Sequence, residues 1–240
     1  MEEPQSSLQA SSPKQQSLAA RMKEYEAITT ALHLEPGVPA IMRLDGHSFS
    51  RFTARFQKPF DSRLHTAMVA TCADLLGTHN TATLAYTQSD EITLVFPTGI
   101  GSFNGRVQKI ATLAASFCSV HFFTHLLAAM AESPEPAVPG FGPDALAMGK
   151  GLPLPHFDAR VFNVPGVEEC LNNLLWRCRG DAIRNSVSAW ARSLYSTKQL
   201  HKKTTSEMIA MAAKEKGAIY KDSVPAWALE GTIVKREMFE

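Results

Sequence analysis

The chain has 240 residues, of which 45% are hydrophobic and 20% charged, and its formal net charge is +1 at pH 7. This balance fits one large domain or a compact core with an appended helical lobe, and it excludes bulk positive charge as a basis for binding nucleic acid. We expect no membrane segment and a cytoplasmic protein, since no unbroken apolar run reaches the roughly 18 residues that span a bilayer. Four cysteines without a CxxC pair predict free thiols.

The N-terminal part of the chain predicts a tail, a helix, a strand and a second helix. Residues 1–18 are polar with two early glutamates, which is typical of a disordered tail, and a short helix is expected over 20–32. The apolar run VPAIMRLDG then predicts a buried strand that ends at Asp45 and Gly46. Apolar residues at spacings of three and four predict a helix from the N-cap Asp61 to Gly77.

The middle of the chain predicts a hairpin, a long helix and a further strand. ATLAYT and ITLVF flank the polar stretch QSDE, so Asp90 and Glu91 are expected at a hairpin tip. A helical pattern runs from Val107 to about Met130, a loop rich in proline and glycine covers 132–156, and a strand is expected over 157–164.

The resulting order, β-α-β-β-α-β, predicts an α+β, ferredoxin-like (polymerase palm-type) antiparallel sheet with both helices on one face. The remainder is expected to be helical, over about 167–179, 181–194 and 205–215. We therefore divide the chain into a disordered tail (1–18), a palm-like catalytic core (19–165) and a C-terminal helical region integrated with the core (166–240).

Acidic residues are predicted to converge at the centre of this sheet. Asp45 ends one strand, and Asp90 and Glu91 lie at the tip of the neighbouring hairpin. Carboxylates placed in this way can hold two Mg²⁺ ions that act on a triphosphate. Phosphate contacts are expected from the Gly46 backbone, from the amides and the aromatic surface of His47, Ser48, Phe49 and Ser50, and from the cations Lys58, Arg106 and Lys109.

Composition alone leaves two alternatives open. An Asp-Gly pair is commonly a turn, and Ser-Asp-Glu is often a solvated hairpin tip. A nucleotide cyclase, which shares the palm arrangement, is the generic alternative among enzymes.

Longer motifs point to one family. RLDGHSFSRFT, KPFD (58–61) and YTQSDEITLVF (86–96) resemble the tRNA-His guanylyltransferase superfamily, and the similarity runs from about residue 21 to 235. The resemblance implies a palm that adds nucleotides to the 5′ end of tRNA, with ATP and GTP or other NTPs as substrates, and a homotetramer. It implies that the metal ligands are Asp45, Asp90 and the Gly46 carbonyl, and that Glu91 is a further catalytic acid. It also implies that the triphosphate is bound by residues 45–50 with Ser89 and Asp90. A second, activating nucleotide would be surrounded by Lys58, Arg106 and Lys109.

The C-terminal motifs FDARVFNVP, WRCRGDAIRNS, KKTTSEM and GTIVKR resemble the bacterial-type members. Eukaryotic enzymes that add G to tRNA-His carry His-Ile-Asn-Asn after the tryptophan. Here the stretch is Asp181–Ser186, and Asn185 alone matches. This departure favours templated repair of 5′-truncated tRNA over tRNA-His-specific addition of G. A catalytically lapsed tRNA-binding module is the remaining alternative.

Residues 177–203 carry seven Lys or Arg and one acid. This local charge, with Trp176, Trp190 and Tyr195 interleaved, predicts a surface that follows tRNA phosphates. The alternative is a solvated helix face above core aromatics. The RNA contacts expected are Arg177, Arg184, Asn185, Lys198, Lys202 and Lys203. His121 and His125 have a spacing that can hold zinc, but no Glu or Cys accompanies them, so we interpret them as a packed helix face.

Overall fold

The structure is a computed structural model, and it describes residues 17–141 and 154–237. Most of the predicted tail lies outside these residues. The helices are α1 (Leu18–Thr29), α2 (Phe49–Phe52), α3 (Ser62–Thr78), α4 (Val107–Glu132), α5 (Val167–Trp176), α6 (Ile183–Leu194), α7 (Thr197–Leu200), α8 (Thr205–Lys216), α9 (Tyr220–Ser223) and α10 (Ala226–Glu230). The strands are β1 (Ala40–Gly46), β2 (Leu84–Gln88), β3 (Glu91–Phe96), β4 (Phe157–Asn163) and β5 (Thr232–Lys235).

The strands form one five-stranded sheet in the order β4-β1-β3-β2-β5, and every neighbouring pair is antiparallel. The first four strands have the predicted ferredoxin-like arrangement, so the fold class is confirmed. Strand β5 was not predicted, because TIVK is short and follows a long helical stretch. It forms by pairing with the open edge of β2, a tertiary partner that a local pattern cannot reveal.

Alternating residues of β1 separate the two faces of the sheet. Met42 and Leu44 are buried in the main core with Leu75 of α3 and Phe122 of α4. Ile41 faces the opposite side, against Cys170 of α5. Both long helices therefore cover one face, as expected, and the other face carries the odd-numbered residues of β1.

Helix α3 begins as predicted, because the Asp61 side chain accepts a hydrogen bond from the Arg63 amide at 3.1 Å. Gly77 does not end it. The helix continues to Thr78, since the glycine takes helical backbone angles and nothing crowds it.

The predicted break near residue 180 is wrong. Residues 177–182 form π-helical turns that join α5 directly to α6. The predicted start of α8 is confirmed, with a capping box between Thr204 and Glu207, and Gly217 ends that helix at φ 62°.

By length and composition alone, one helix of the described residues is apolar enough to cross a membrane, namely α4. Polar residues interrupt α4, so a criterion of unbroken apolar runs does not select it. One such helix is weak evidence for a membrane span, because core helices pass the same test. Phe122 and Leu126 of α4 are fully buried in the main core.

Candidate active site

The end of β1 and the β2–β3 hairpin bring the three predicted acids together. Asp45 pairs directly with Glu91 across β1 and β3. The Gly46 amide donates to the Asp90 carbonyl at 2.9 Å, which ties the strand end to the hairpin turn. Ser89 takes a left-handed conformation, φ 56°, in the two-residue turn. The convergence expected from the topology is present.

Asp90 is a half-buried acid whose surroundings favour a bound cation. Burial raises the pKa of its carboxyl, and the nearby charge of Asp45 acts in the same direction. A cation bound between the carboxylates of Asp45 and Asp90 would lower the pKa of Asp90, against both of these effects. Carboxylate oxygens are hard ligands of the kind Mg²⁺ prefers, so Asp45 and Asp90 fit such an ion.

Glu91 is held by two arginines. Arg43 Nε lies 3.3 Å from one of its oxygens, and Arg177 Nε lies 2.6 Å from the other. Burial raises the pKa of Glu91, while Arg177 and Arg43 act to lower it. Arg177 also pairs with Asp181, which in turn pairs with Arg184.

This network makes the prediction of Arg177 as an RNA contact wrong. Its side chain is only 11% exposed, because it lies between the carboxylates of Glu91 and Asp181. The stretch that replaces the His-Ile-Asn-Asn motif is therefore partly structural in this chain.

The segment after Asp45 offers less to a phosphate than predicted. The His47 amide donates to the His156 carbonyl at 2.9 Å, and the two imidazole rings stack with centroids 4.9 Å apart. Phe49 is 7% exposed and packs on Phe122 and Phe157. The expectation of a free His47 amide is wrong, because the His156 carbonyl, directly before β4, engages it. The Phe49 ring is held mainly in the core, and only a small part of it is left to border the cleft beside Asp90.

Gly46 is required by this packing. A Cβ atom at Gly46 would lie 2.3 Å from Cδ2 of Phe49, well inside van der Waals contact. The absence of a side chain lets the Phe49 ring turn back under the strand end, close to the two aspartates.

A cleft of about 650 Å³ opens beside Asp90, between the hairpin and α6, a size typical of ligand sites. Residues that were predicted to bind nucleotide and residues that were predicted to bind RNA meet at this cleft. The predicted residues that border the cleft are Phe49, Ser50, Lys58, Ser89, Asp90, Arg184 and Asn185.

Arg106 and Lys109 do not border this cleft. They begin α4, which follows β3 at the end of the sheet where Phe96 pairs with Ala40. Asp45 lies at the other end of β1, about 17 Å away at the usual rise per strand residue. The expectation that they surround a second, activating nucleotide therefore stays a prediction, and it concerns a place away from this cleft.

The basic region is partly surface and partly core. Lys198 and Lys202 are exposed, and Lys203 is half-buried at the edge of a second hollow beside Arg184. Trp190 and Tyr195 are buried in the C-terminal core, so the core interpretation is correct for these two aromatics.

Two aromatic residues at the cleft were missed. His65 and Trp227 stack with centroids 4.4 Å apart and an interplanar angle of 10°, and both border the cleft. Burial lowers the pKa of His65, which favours the neutral ring. No local pattern could find this pair, because α10 reaches α3 only through the packing of the C-terminal helices.

A ferredoxin-like sheet with carboxylates at the end of its first strand and on the adjoining hairpin is the palm arrangement of enzymes that act on nucleoside triphosphates. The profile of one family, described as Thg1: tRNAHis guanylyltransferase, matches residues 19–165. The chain belongs to this family.

Among curated relatives, the uncharacterized protein R259 of Acanthamoeba polyphaga mimivirus is 31% identical over 92% of this chain and 77% of its own length. The tRNA(His) guanylyltransferase of Saccharomyces cerevisiae is 32% identical over 60% of this chain and 56% of its own. The chain spans about half the length of most curated tRNA(His) guanylyltransferases that it matches, and 68% of the probable one from Drosophila melanogaster.

Solved structures agree. A bacterial tRNA(His) guanylyltransferase (Thg1)-like protein in complex with ATP superimposes with a TM-score of 0.75, at 29% identity over 92% of this chain and 89% of the other. A bacterial Thg1-like protein in complex with GTP gives a TM-score of 0.66, at 26% identity over 93% and 87%.

Proposed function

We propose that this protein is a template-dependent nucleotidyltransferase that adds nucleotides in the 3′-to-5′ direction to the 5′ end of truncated tRNA. The observation that carries the proposal is the convergence of Asp45 and Asp90 beside a cleft bordered by Lys58, Arg184 and Asn185. Residues 19–165 would supply the catalytic acids, and the C-terminal region would form the opposite wall of the cleft.

The proposed reaction has two steps. A 5′-monophosphate on the tRNA attacks the α-phosphorus of ATP, which forms a 5′-adenylylated end and releases pyrophosphate. The 3′-hydroxyl of an incoming NTP then attacks the phosphorus of the former 5′-monophosphate, and AMP leaves. The product is one nucleotide longer and ends in a 5′-triphosphate.

The chain's own residues would position and neutralise these phosphates. Asp45, Asp90 and the Gly46 carbonyl would hold two Mg²⁺ ions, which lower the pKa of an attacking hydroxyl and offset charge on the leaving group. Lys58 at the cleft would meet a triphosphate, and Ser50 and Ser89 offer hydroxyl donors. Glu91, fixed by its two arginines, would hold the Asp45 side of the site in place.

Two findings favour templated repair over the addition of a non-templated G to tRNA-His. Within the stretch that departs from the His-Ile-Asn-Asn motif, Asp181 is buried in ion pairs, and only Arg184 and Asn185 border the cleft. The structures with the greater coverage are bacterial Thg1-like proteins, in complex with ATP and with GTP. We further propose a homotetramer that works in the cytoplasm.

A panel of 5′-truncated tRNAs incubated with labelled NTPs, ATP and Mg²⁺ tests the proposal. We expect incorporation of the nucleotide complementary to the 3′ half of the acceptor stem, and its loss on Asp45→Ala or Asp90→Ala. Asp222→Ala removes an exposed carboxylate on α9 and serves as a matched control. A preference for intact tRNA-His would support the G-adding activity instead, and tRNA binding without turnover would support a lapsed module.

A further inference from the structure

A second group of metal-ligating side chains lies on the helical side of the sheet, apart from the active site. His121 and His125 of α4 both contact Asp74 of α3. The interpretation of these histidines as a packed helix face rested on the absence of an accompanying Glu or Cys in the sequence. An acidic partner exists, but it lies on the neighbouring helix and is visible only in the folded chain.

The geometry of the group is compact. One carboxylate oxygen of Asp74 lies 2.6 Å from Nδ1 of His121 and 2.6 Å from Nε2 of His125. The three ligand atoms all lie within 4.8 Å of one another. Donors around a tetrahedral zinc ion are about 3.3 Å apart at normal bond lengths, so small side-chain rotations would admit the ion.

The support and the exposure of the ligands also suit a cation. The Phe117 ring stacks on His121 with centroids 3.8 Å apart, which fixes the plane of one ligand. The three side chains are 30 to 37% exposed, so an ion can enter from solvent and keep a bound water.

We propose that Asp74, His121 and His125 form a transition-metal site, with Zn²⁺ as the ion that it fits best. Two histidines four residues apart on one helix present both rings on the same side, and a carboxylate completes three protein ligands with a position left for water. Two imidazole nitrogens select Zn²⁺ or Co²⁺ over Mg²⁺, which prefers oxygen ligands.

The site is chemically and spatially distinct from the palm acids. Asp74 lies 13 residues after the N-cap Asp61, which borders the catalytic cleft, so about 20 Å of helix separates the two places. A bound ion would join α3 to α4, the two helices that cover the sheet. It would stabilise the folded chain without taking part in chemistry at Asp90.

The test is a titration of the full chain with Zn²⁺ and with Co²⁺, in excess Mg²⁺, in a background of Asp45→Asn and Asp90→Asn that removes the palm ligands. We expect one ion per chain, visible absorption typical of tetrahedral Co²⁺, and a higher thermal midpoint with Zn²⁺. Asp74→Asn and His125→Gln should each weaken binding more than about tenfold.

The matched control is His33→Gln, which removes an exposed histidine outside the group and should leave binding unchanged. Circular dichroism of each variant verifies that it is folded. Absence of a bound ion in the background chain would overturn the proposal and leave a hydrogen-bonded group only. Equal affinities for the background, Asp74→Asn and His125→Gln would overturn it as well.

Discussion

At the scale of single residues, Arg177 shows that a charged residue predicted to bind RNA can instead form buried ion pairs. Within a basic stretch of sequence it resembles an RNA contact. In the folded chain it lies between Glu91 and Asp181, and its guanidinium is largely removed from solvent. Arginine suits this position because its planar fork can satisfy two carboxylates at once.

Replacing Arg177 with methionine should destabilise the fold, because two buried carboxylates would each lose a partner. We expect a loss of about 3 kcal/mol, at the low end for broken buried pairs, since Arg43 and Arg184 remain. Arg184→Met is the control, because its side chain is 66% exposed and its pair should contribute less than about 1 kcal/mol. Urea unfolding measures the free energy of unfolding of both variants. Equal stabilities of the two variants, together with weaker tRNA binding by Arg177→Met, would support Arg177 as an RNA contact after all.

Asp61 should make stability depend on acid pH. Burial acts to raise its pKa, but bonds from Arg63 and Gln57 outweigh it, so the folded pKa is lowered. The stabilisation is therefore complete above the unfolded pKa of about 3.9 and is lost as the pH falls through the folded value.

We expect Asp61→Asn to lower stability at pH 7 and to flatten its dependence on pH below about 5. Urea unfolding of the wild type, Asp61→Asn and the exposed-site control Asp222→Asn between pH 7 and pH 3 measures this. Parallel pH profiles for the wild type and Asp61→Asn would refute the assignment.

At the scale of elements, the strand end after Asp45 depends on a close contact that only glycine allows. Gly46→Ala would drive a methyl group into the Phe49 ring. We expect a loss of about 1–3 kcal/mol from overpacking, together with weaker nucleotide addition. Gly77→Ala is the matched control, because a Cβ there meets nothing within 4 Å inside α3, and it should stabilise by about 0.5–1 kcal/mol. Thermal unfolding measures both variants. Equal shifts of the thermal midpoint for Gly46→Ala and Gly77→Ala would contradict this account.

The elements also show how far a sequence can predict this fold. The first four strands and the two long helices follow from local periodicity, and the adjacency of Asp45 to the hairpin follows from their order. Strand β5 does not, because it depends on the open edge of β2. The π-helical turns at 177–182 do not either, because the sequence pattern there predicts a break between two helices. Local sequence patterns likewise could not predict that Trp227 borders the cleft or that Asp74 contacts His121.

At the scale of the whole molecule, a net charge of +1 conceals an uneven distribution. Lys198 and Lys202 are exposed on the helical lobe that borders the cleft. We expect Lys198→Ala and Lys202→Ala each to weaken tRNA binding and to reduce the slope of log affinity against log salt by about one. The control Lys221→Ala, on exposed α9, should change neither the tRNA affinity nor this slope. Filter binding at several salt concentrations measures both quantities. Equal slopes for all three variants would contradict the assignment of Lys198 and Lys202 to the tRNA-binding surface.

The central claim is that Asp45 and Asp90 direct nucleotide addition to the 5′ end of tRNA. The most direct measurement uses a 5′-truncated tRNA whose 3′ end has been oxidised with periodate, so that extension there is blocked. With ATP, Mg²⁺ and labelled NTPs, we predict that the wild type still extends this substrate and that Asp90→Asn does not. Loss of extension by the wild type when only the 3′ end is blocked would contradict the account.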